Sequence, residues 1–391
     1  MLDRHMLGAF GPLGVVIVFL FGAALASGQT IPAAQEPKPL LAEDVFKNIQ
    51  VLRGIPVTQF MATMGFFSAS LGSNCTFCHV EESGGNWARY ADDNEQKQTA
   101  RKMILMMNAI NQSYFGGKRA LTCYSCHRGG ETPRLIPNLA DQYSSIPPSD
   151  DPDEILEQAP DAPPADQVLD KYIQAIGGAQ RLAALTSIVA KGTYQGYDEA
   201  KKSPLEIYAK APNQRAIIVH GSSGDTTTTY DGSAGWTAAP DTDTPVPVLA
   251  LTGPFLDAAR LDAQLSFPAR IKQTLTQWRV GYPSTIDDRD VQVVQGTSAG
   301  GAPVKLYFDM QSGLLVRLVR YAELPVGRNP TQIDYADYRV VAGVKMPFRW
   351  TTTWTDGRST TELSQVQTNV PIDAAKFAKP APPAPARPAT R

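Results

Sequence analysis

The stretches CTFCH at Cys75–His79 and CYSCH at Cys123–His127 decide how the first part of this 391-residue chain is built. Each places two thiols three positions apart, with a histidine directly after the second thiol. The chain has four cysteines, and the two motifs contain all of them. No cysteine is left for a disulfide framework, so the cysteine pattern indicates a bound group and not covalent stapling of the fold.

The spacing within each motif fits covalent attachment of a haem. Two thiols separated by two residues can reach the two vinyl groups of one haem, and the adjacent histidine then becomes the proximal iron ligand. Zinc ribbons also use two CxxC pairs, and thiol redox proteins use one, so both are alternatives. A histidine directly after each pair favours haem. The sequence therefore predicts two covalently bound haem c groups, each with its iron. The thioether residues are Cys75, Cys78, Cys123 and Cys126, and the proximal ligands are His79 and His127.

Each motif follows a segment with helical periodicity. In Val57–Leu71, apolar residues recur at i, i+4, i+7 and i+11 and form one stripe. These residues are Phe60, Met64, Phe67 and Leu71. A second helix is predicted from about Asn94 to Tyr114, where Gly116-Gly117 stops it.

Methionines on these helices are candidates for the sixth iron ligand. Met64 lies eleven residues before Cys75 on the apolar stripe, where a core methionine would also lie. The second helix offers Met103, Met106 and Met107. Helical spacing alone does not choose among these three, and an open sixth position on the second haem is a further alternative.

The N-terminus predicts export. Residues 1–28 combine Arg4 with the apolar run Leu13–Leu25, which is too short to span a bilayer comfortably. Ala24-Leu25-Ala26 then offers a cleavage site for a signal peptide. We expect a periplasmic or other extracytoplasmic location, with an uncleaved membrane anchor as the alternative.

Composition changes divide the rest of the chain. Residues 40–146 are predicted to form a mainly helical domain with two haems, and residues 147–165 a linker rich in proline and acidic residues. Residues 166–379 carry short β-rich runs with one or two helices, which predicts an antiparallel β domain. Residues 380–391 form a Pro/Ala-rich tail expected to be disordered. The fold class is therefore α+β.

The global charge is close to neutral. The formal net charge is −2, which gives no extended basic field and argues against a nucleic-acid partner.

The helical part resembles the photosynthetic reaction-centre cytochrome c subunit. The resemblance covers about residues 45–135 and rests on Gly54-Ile55-Pro56, on Met64–Asn74 running into the first motif, on Ala100–Ile104, and on the second motif with Arg128-Gly129. It implies that a methionine upstream of each cysteine pair is the sixth ligand, namely Met64 for the first haem and Met103 for the second. Re-reduction of a photo-oxidised chlorophyll pair is the function that the resemblance implies.

Two departures from that family stand out. Its well-known members carry four haems, whereas this chain has two attachment motifs. One of their haems takes a distal histidine from elsewhere in the subunit, and this helical part has no spare histidine.

The β-rich part is similar to the periplasmic lipoprotein-carrier half-barrels. The resemblance rests on Tyr208–Asn213, Tyr230-Asp231-Gly232, Gly235-Trp236 and Tyr307-Phe308-Asp309. It implies a curved antiparallel sheet folded over a helix, with a concave face that could hold a lipid or quinone-like apolar ligand.

Three functions remain open on the sequence. The first is a non-enzymatic electron carrier that serves membrane-associated redox donor and acceptor proteins and passes electrons to a membrane or periplasmic partner. The second is a haem enzyme or gas sensor with an open second haem, for which Glu131 is the only nearby acid. The third is an apolar-ligand carrier that works through the β domain.

Overall fold

The computed structural model describes residues 38–83, 86–133, 135–136, 154–197, 199–240 and 244–383. The expected signal peptide, most of the linker and most of the tail lie outside these residues. Within them the protein has helices in its N-terminal part and a large antiparallel sheet in its C-terminal part. The predicted α+β class is confirmed.

The helical part contains two long helices and three short ones among the described residues. They are α1 (Ala42–Val45), α2 (Val57–Leu71), α3 (Cys75–Cys78), α4 (Glu95–Tyr114) and α5 (Cys123–His127). Helix α2 has the predicted bounds and ends at Gly72, which adopts a left-handed φ of 66°. Helix α4 begins after Asn94, whose side chain accepts a hydrogen bond from the backbone N–H of Lys97 at 2.8 Å. Both long helices are thus confirmed.

The C-terminal part is built on one sheet. Among the described residues it has fourteen strands in the order β6-β5-β4-β3-β2-β1-β14-β13-β12-β11-β10-β9-β7, and β8 pairs with β9. All neighbouring strands are antiparallel. The strands are β1 (Ser187–Gly196), β2 (Ser203–Lys210), β3 (Gln214–Gly221), β4 (Gly224–Tyr230), β5 (Gly235–Ala238), β6 (Val248–Leu251), β7 (Thr276–Val280), β8 (Ser284–Ile286), β9 (Arg289–Thr297), β10 (Pro303–Asp309), β11 (Leu315–Leu324), β12 (Gly327–Val341), β13 (Val344–Trp354) and β14 (Gly357–Thr368).

Helices cover one region of this sheet. They are α6 (Ala165–Ala175), α7 (Ala179–Ala183), α8 (Pro254–Leu265) and α9 (Ile271–Thr274). The main core joins Leu169 and Ile173 of α6 and Ile271 of α9 to strand residues such as Leu306 and Leu318. This core explains why the strand runs are apolar on one face: the helices bury that face.

A glycine pair separates α6 from α7. Gly177 and Gly178 have φ values of 132° and 87°, which other residues rarely adopt. A Cβ atom on Gly177 would also lie 2.6 Å from the carbonyl oxygen of Gly343. The chain therefore turns here and continues as a second short helix.

The helical part packs against the turn between β11 and β12. Phe66 of α2 shares a buried cluster with Leu324 and Val326. Gly327 permits this contact, because a Cβ atom there would lie 2.2 Å from Cζ of Phe66. Arg119 also donates to Glu323 at 2.8 Å across the same contact.

The end of the predicted linker lies against the sheet. Ile155 is buried, and its backbone N–H donates to Oε1 of Gln295 on β9 at 2.7 Å. The Gln295 amide in turn donates to the Ile155 carbonyl at 3.2 Å. Residues around 155 thus belong to the packed structure, and the domain boundaries remain a prediction.

Candidate functional site

The first cysteine motif is a single helical turn with a defined start. The Asn74 side chain accepts the backbone N–H of Thr76 at 3.1 Å and caps α3. The N–H of His79 bonds the carbonyl of Cys75 at 3.0 Å and closes the turn. Cys75 is exposed and Cys78 half-buried. One turn therefore presents both thiols and the histidine together.

The second motif repeats this arrangement on α5. Thr122 and Ser125 form a reciprocal capping box at its start. Arg128 ends the helix in a left-handed conformation with φ of 50°. Cys123 is half-buried and Cys126 exposed. The two motifs thus have the same local fold, although the segments between helix and motif differ in length.

Backbone carbonyls orient both motif histidines. Nδ1 of His79 lies 3.2 Å from the carbonyl oxygen of Tyr90, and Nδ1 of His127 lies 3.0 Å from that of Gly130. A carbonyl oxygen can only accept, so each Nδ1 must carry the proton. This assigns the lone pair to Nε2 in both rings. A metal-ligating histidine is oriented in this way.

The electrostatics favour the neutral form of the first histidine. The pKa of His79 is lowered, first by burial and then by the positive charge of Lys97. Burial also raises the pKa of the Cys78 thiol and raises that of Cys123 to about 11. Reactive thiols of redox enzymes have the opposite shift, which disfavours the thiol–disulfide reading for these two cysteines.

Two apolar cavities adjoin the motifs. The inner cavity, about 360 Å³, is lined by residues of both motifs: Cys78 and His79 from the first, Cys123 and His127 from the second. The outer cavity, about 520 Å³, is lined by Cys75, Cys78 and His79 of the first motif alone. Volumes of this size are typical of small-molecule and cofactor sites.

The apolar stripe of α2 forms a wall of both cavities. Phe60, Met64, Phe67 and Leu71 all line the inner and the outer cavity. Phe66, on a neighbouring face of α2, is buried in the core. The stripe therefore lines the cavities, and its residues Phe60, Met64 and Phe67 also pack against the core cluster of Phe66.

The structure separates the candidate methionines by location. Met64 lines both cavities and Met103 the inner one. Met107 is buried in the cluster with Phe66, and Met106 is 48% exposed and lines neither cavity. Of the three methionines on α4, Met103 is thus the one that lines a cavity, and this cavity is shared by both motifs.

These residues fit haem c. Each motif offers two free thiols and an imidazole whose Nε2 is available, at the wall of an apolar cavity with a thioether on a facing helix. Among the described residues, no three His, Cys, Asp or Glu side chains are grouped as a metal site. The two cysteine pairs therefore do not meet as one four-cysteine zinc site in this structure.

Sequence reasoning missed the groups that orient the histidines. The acceptors at Tyr90 and Gly130 are backbone carbonyls, which carry no sequence signal. The Lys97 ammonium also donates to the Tyr90 carbonyl, at 2.7 Å, and so helps fix the loop that holds His79. Although Lys97 is a charged residue near the start of α4, its side chain is only 15% exposed.

Comparison with known proteins finds relatives for the helical part of the chain. The family model described as "Photosynthetic reaction centre cytochrome C subunit" matches residues 22–147. This region resembles the reaction-centre cytochrome c subunit. The reaction-centre subunit of Thermochromatium tepidum is 34% identical over 110 residues, which is 27% of this chain and 26% of that one. The subunit of Roseobacter denitrificans is 34% identical over 104 residues, 25% of this chain and 27% of that one. The chain thus spans about a quarter of the length of these relatives.

Solved structures match the sheet only remotely. A LolA superfamily protein from Nitrosomonas europaea has a TM-score of 0.39 at 14% identity, covering 56% of this chain and 99% of that one. A DUF1329 family protein from Desulfovibrio piger has a TM-score of 0.40 at 10% identity, covering 56% of this chain and 98% of that one. Scores this low say nothing about a ligand.

The locations of Met103 and Met106 yield a testable difference. An M103L variant is expected to leave the second haem without its thioether ligand, so that it binds about one carbon monoxide per chain. The matched variant M106L changes a methionine on the same helix outside both cavities and is expected to bind none. The measurement is a carbon monoxide difference spectrum of the reduced proteins. If the two variants give the same difference spectrum, Met103 is not the sixth ligand of the second haem.

Proposed function

We propose that the protein is an exported c-type cytochrome with two haems that carries electrons between redox proteins and catalyses no reaction of its own. One observation carries this proposal. In both motifs, Nδ1 of the histidine is held by a backbone carbonyl, and the ring lies beside a pair of free cysteines and an apolar cavity. Cys75 and Cys78 hold the first haem and Cys123 and Cys126 the second. The axial pairs are His79 with Met64 and His127 with Met103.

The two sites adjoin one another. Met64, Cys78 and His79 line both cavities, and the second motif lines the inner one. Electrons therefore need not cross a thick layer of protein between the two sites. This shared wall is the structural feature expected of a short electron wire.

The chain sets the electronic environment of the sites. Bound haem c supplies a one-electron iron couple, and the protein supplies its ligands and surroundings. A methionine ligand raises the reduction potential relative to a second histidine. The aromatic wall of Phe60, Phe67 and Phe77 excludes water and lowers the local dielectric constant, which disfavours the more highly charged oxidised iron.

The resembling region supports the proposed location and partners. Reaction-centre cytochrome subunits work outside the cytoplasm, which supports export and agrees with the N-terminal sequence. Within the described residues, no helix has both the length and the hydropathy to cross a bilayer. The proposed partners are a periplasmic donor and a membrane-associated acceptor, of which a photosynthetic reaction centre is one form.

An open second haem is the alternative that the geometry also favours. Met103 is 38% exposed, and Glu131 lines the inner cavity close to His127. Ser73 donates to Oε1 of Glu131 at 2.8 Å, which ties this carboxyl, four residues after His127, to the segment just before the first motif. A haem enzyme or sensor would use such an open position with a nearby acid.

A spectroelectrochemical titration of the purified holoprotein, with and without carbon monoxide, separates these functions. The electron carrier predicts two reversible one-electron steps, the weak far-red band of methionine ligation, and spectra that carbon monoxide leaves unchanged. Binding of carbon monoxide to one haem of the unmodified protein would contradict the carrier and favour the enzyme or sensor.

A further inference from the structure

A third cavity lies in the β-rich part, far in sequence from the cysteine motifs. It measures about 260 Å³ and lies between the sheet and its covering helices. Its wall is largely apolar and includes Ile188, Ala190, Ile207, Ile217 and Trp350. The volume is slightly below the roughly 300 to 1,000 Å³ of ordinary ligand pockets, which suits a small molecule and not a diacyl lipid.

A cation is built into this apolar wall. Arg215 of β3 lines the cavity, and its Nε is buried without a hydrogen-bond partner among the described residues. Its Nη1 donates to Oγ of Ser266 at 3.0 Å, and the carbonyl of Asp262 is 3.5 Å away. Both acceptors are neutral, and the Nε donor is left without a partner.

One carboxylate is shared by two arginines in this cavity. Asp262 on α8 forms an ion pair with Arg320 of β11, and its charge also acts on Arg215. Tyr335 also lines the cavity, and burial raises the pKa of its phenol, which therefore stays neutral. Two arginines and one carboxylate leave one net positive charge inside the cavity. Lys345 adds a second positive charge at the rim, where it is exposed and screened by water.

A buried charged donor without a partner is costly to the folded protein. A ligand that brings one negative charge on a planar, two-oxygen head would supply the acceptor, because a guanidinium pairs bidentately with such a head. The apolar wall would bury an alkyl chain attached to it. A phosphate monoester carries between one and a half and two negative charges at neutral pH, more than the single buried charge requires.

We propose that this cavity binds a small amphiphile with one alkyl chain and a carboxylate head, and that Arg215 holds the head. The site is independent of the haem sites, so it survives even if the proposed electron-transfer function fails. It also restricts the class of apolar ligand that the half-barrel resemblance implies. The ligand has an anionic head group, which disfavours a neutral lipid or a quinone.

Isothermal titration of the full-length holoprotein tests this proposal, with decanoate, decan-1-ol and decyl phosphate as probes. Decanoate is expected to bind once per chain, at least tenfold more tightly than decanol or decyl phosphate. R215Q is expected to weaken decanoate binding by about 10- to 100-fold, as loss of a charge-assisted hydrogen bond does. I217W, which fills the cavity, is expected to abolish binding.

The matched control is R317Q. Arg317 also lies on a strand of this sheet and pairs with Asp334, but it does not line the cavity. It is expected to bind decanoate like the unmodified protein. Comparison of the three probes on the unmodified protein keeps the test valid should R215Q fold poorly. Equal affinity for decanoate and decanol, tighter binding of decyl phosphate, or no binding of decanoate would each overturn the proposal.

Discussion

The double variant C75S/C78S is expected to carry one covalently bound haem per chain where the unmodified protein carries two. Serine cannot form the thioether bonds, and His79 alone would hold the first haem only by coordination. Cys123 and Cys126 lie on a separate helix with its own capping box, so the second attachment site should remain intact. The measurement is a pyridine haemochrome assay on protein purified after denaturation, which removes haem that is not covalently bound.

The complementary variant C123S/C126S is the control for this prediction. It should also retain one haem, and the two single-haem proteins should differ in their reduction potentials because their cavities differ in lining. Two haems retained in either variant would show that the altered pair does not attach haem. Loss of both haems from both variants would show that the sites do not mature separately.

The substitution M64H is expected to lower the reduction potential of one haem strongly. It replaces the thioether with an imidazole at the position that lines both cavities. Axial ligands set haem potentials over a range of about 0.8 V, and histidine in place of methionine moves the potential down within that range. The second haem should change much less. A redox titration followed in the optical spectrum measures both potentials.

M106H is the matched control for M64H. It makes the same substitution at a methionine that is 48% exposed and lines neither cavity. Both potentials should stay close to those of the unmodified protein. If M64H leaves both potentials unchanged as well, Met64 is a wall residue of the cavity and not an iron ligand.

The sequence predicts the local elements of the haem part well because their signals are local. The periodicity of Phe60, Met64, Phe67 and Leu71 gives both the bounds of α2 and the face that lines the cavities. Asn94 and Gly116 mark the limits of α4 through capping and chain reversal. Periodicity cannot distinguish Met103 from Met107, since both positions are apolar. The two methionines differ only in the folded protein, where Met107 is buried in the cluster around Phe66.

Contacts between distant segments could not be predicted from the sequence. Phe66 can approach residue 327 closely because that residue is a glycine and has no side chain. The two positions are 261 residues apart, and no local pattern in the sequence predicts their contact. The packing of Ile155 under Gln295 likewise occurs within a segment whose composition predicts a solvated linker. One signal of the third cavity was readable: Arg215 is a charged residue next to the apolar run Ala216–Val219 on its strand.

A haem count on the exported full-length protein tests the central claim most directly. The protein is purified from the extracytoplasmic fraction, denatured, and assayed for covalently bound haem by pyridine haemochrome against protein concentration, with zinc measured on the same sample. The account predicts two haem c groups per chain and no stoichiometric zinc. One haem per chain, or bound zinc in place of haem, would contradict it.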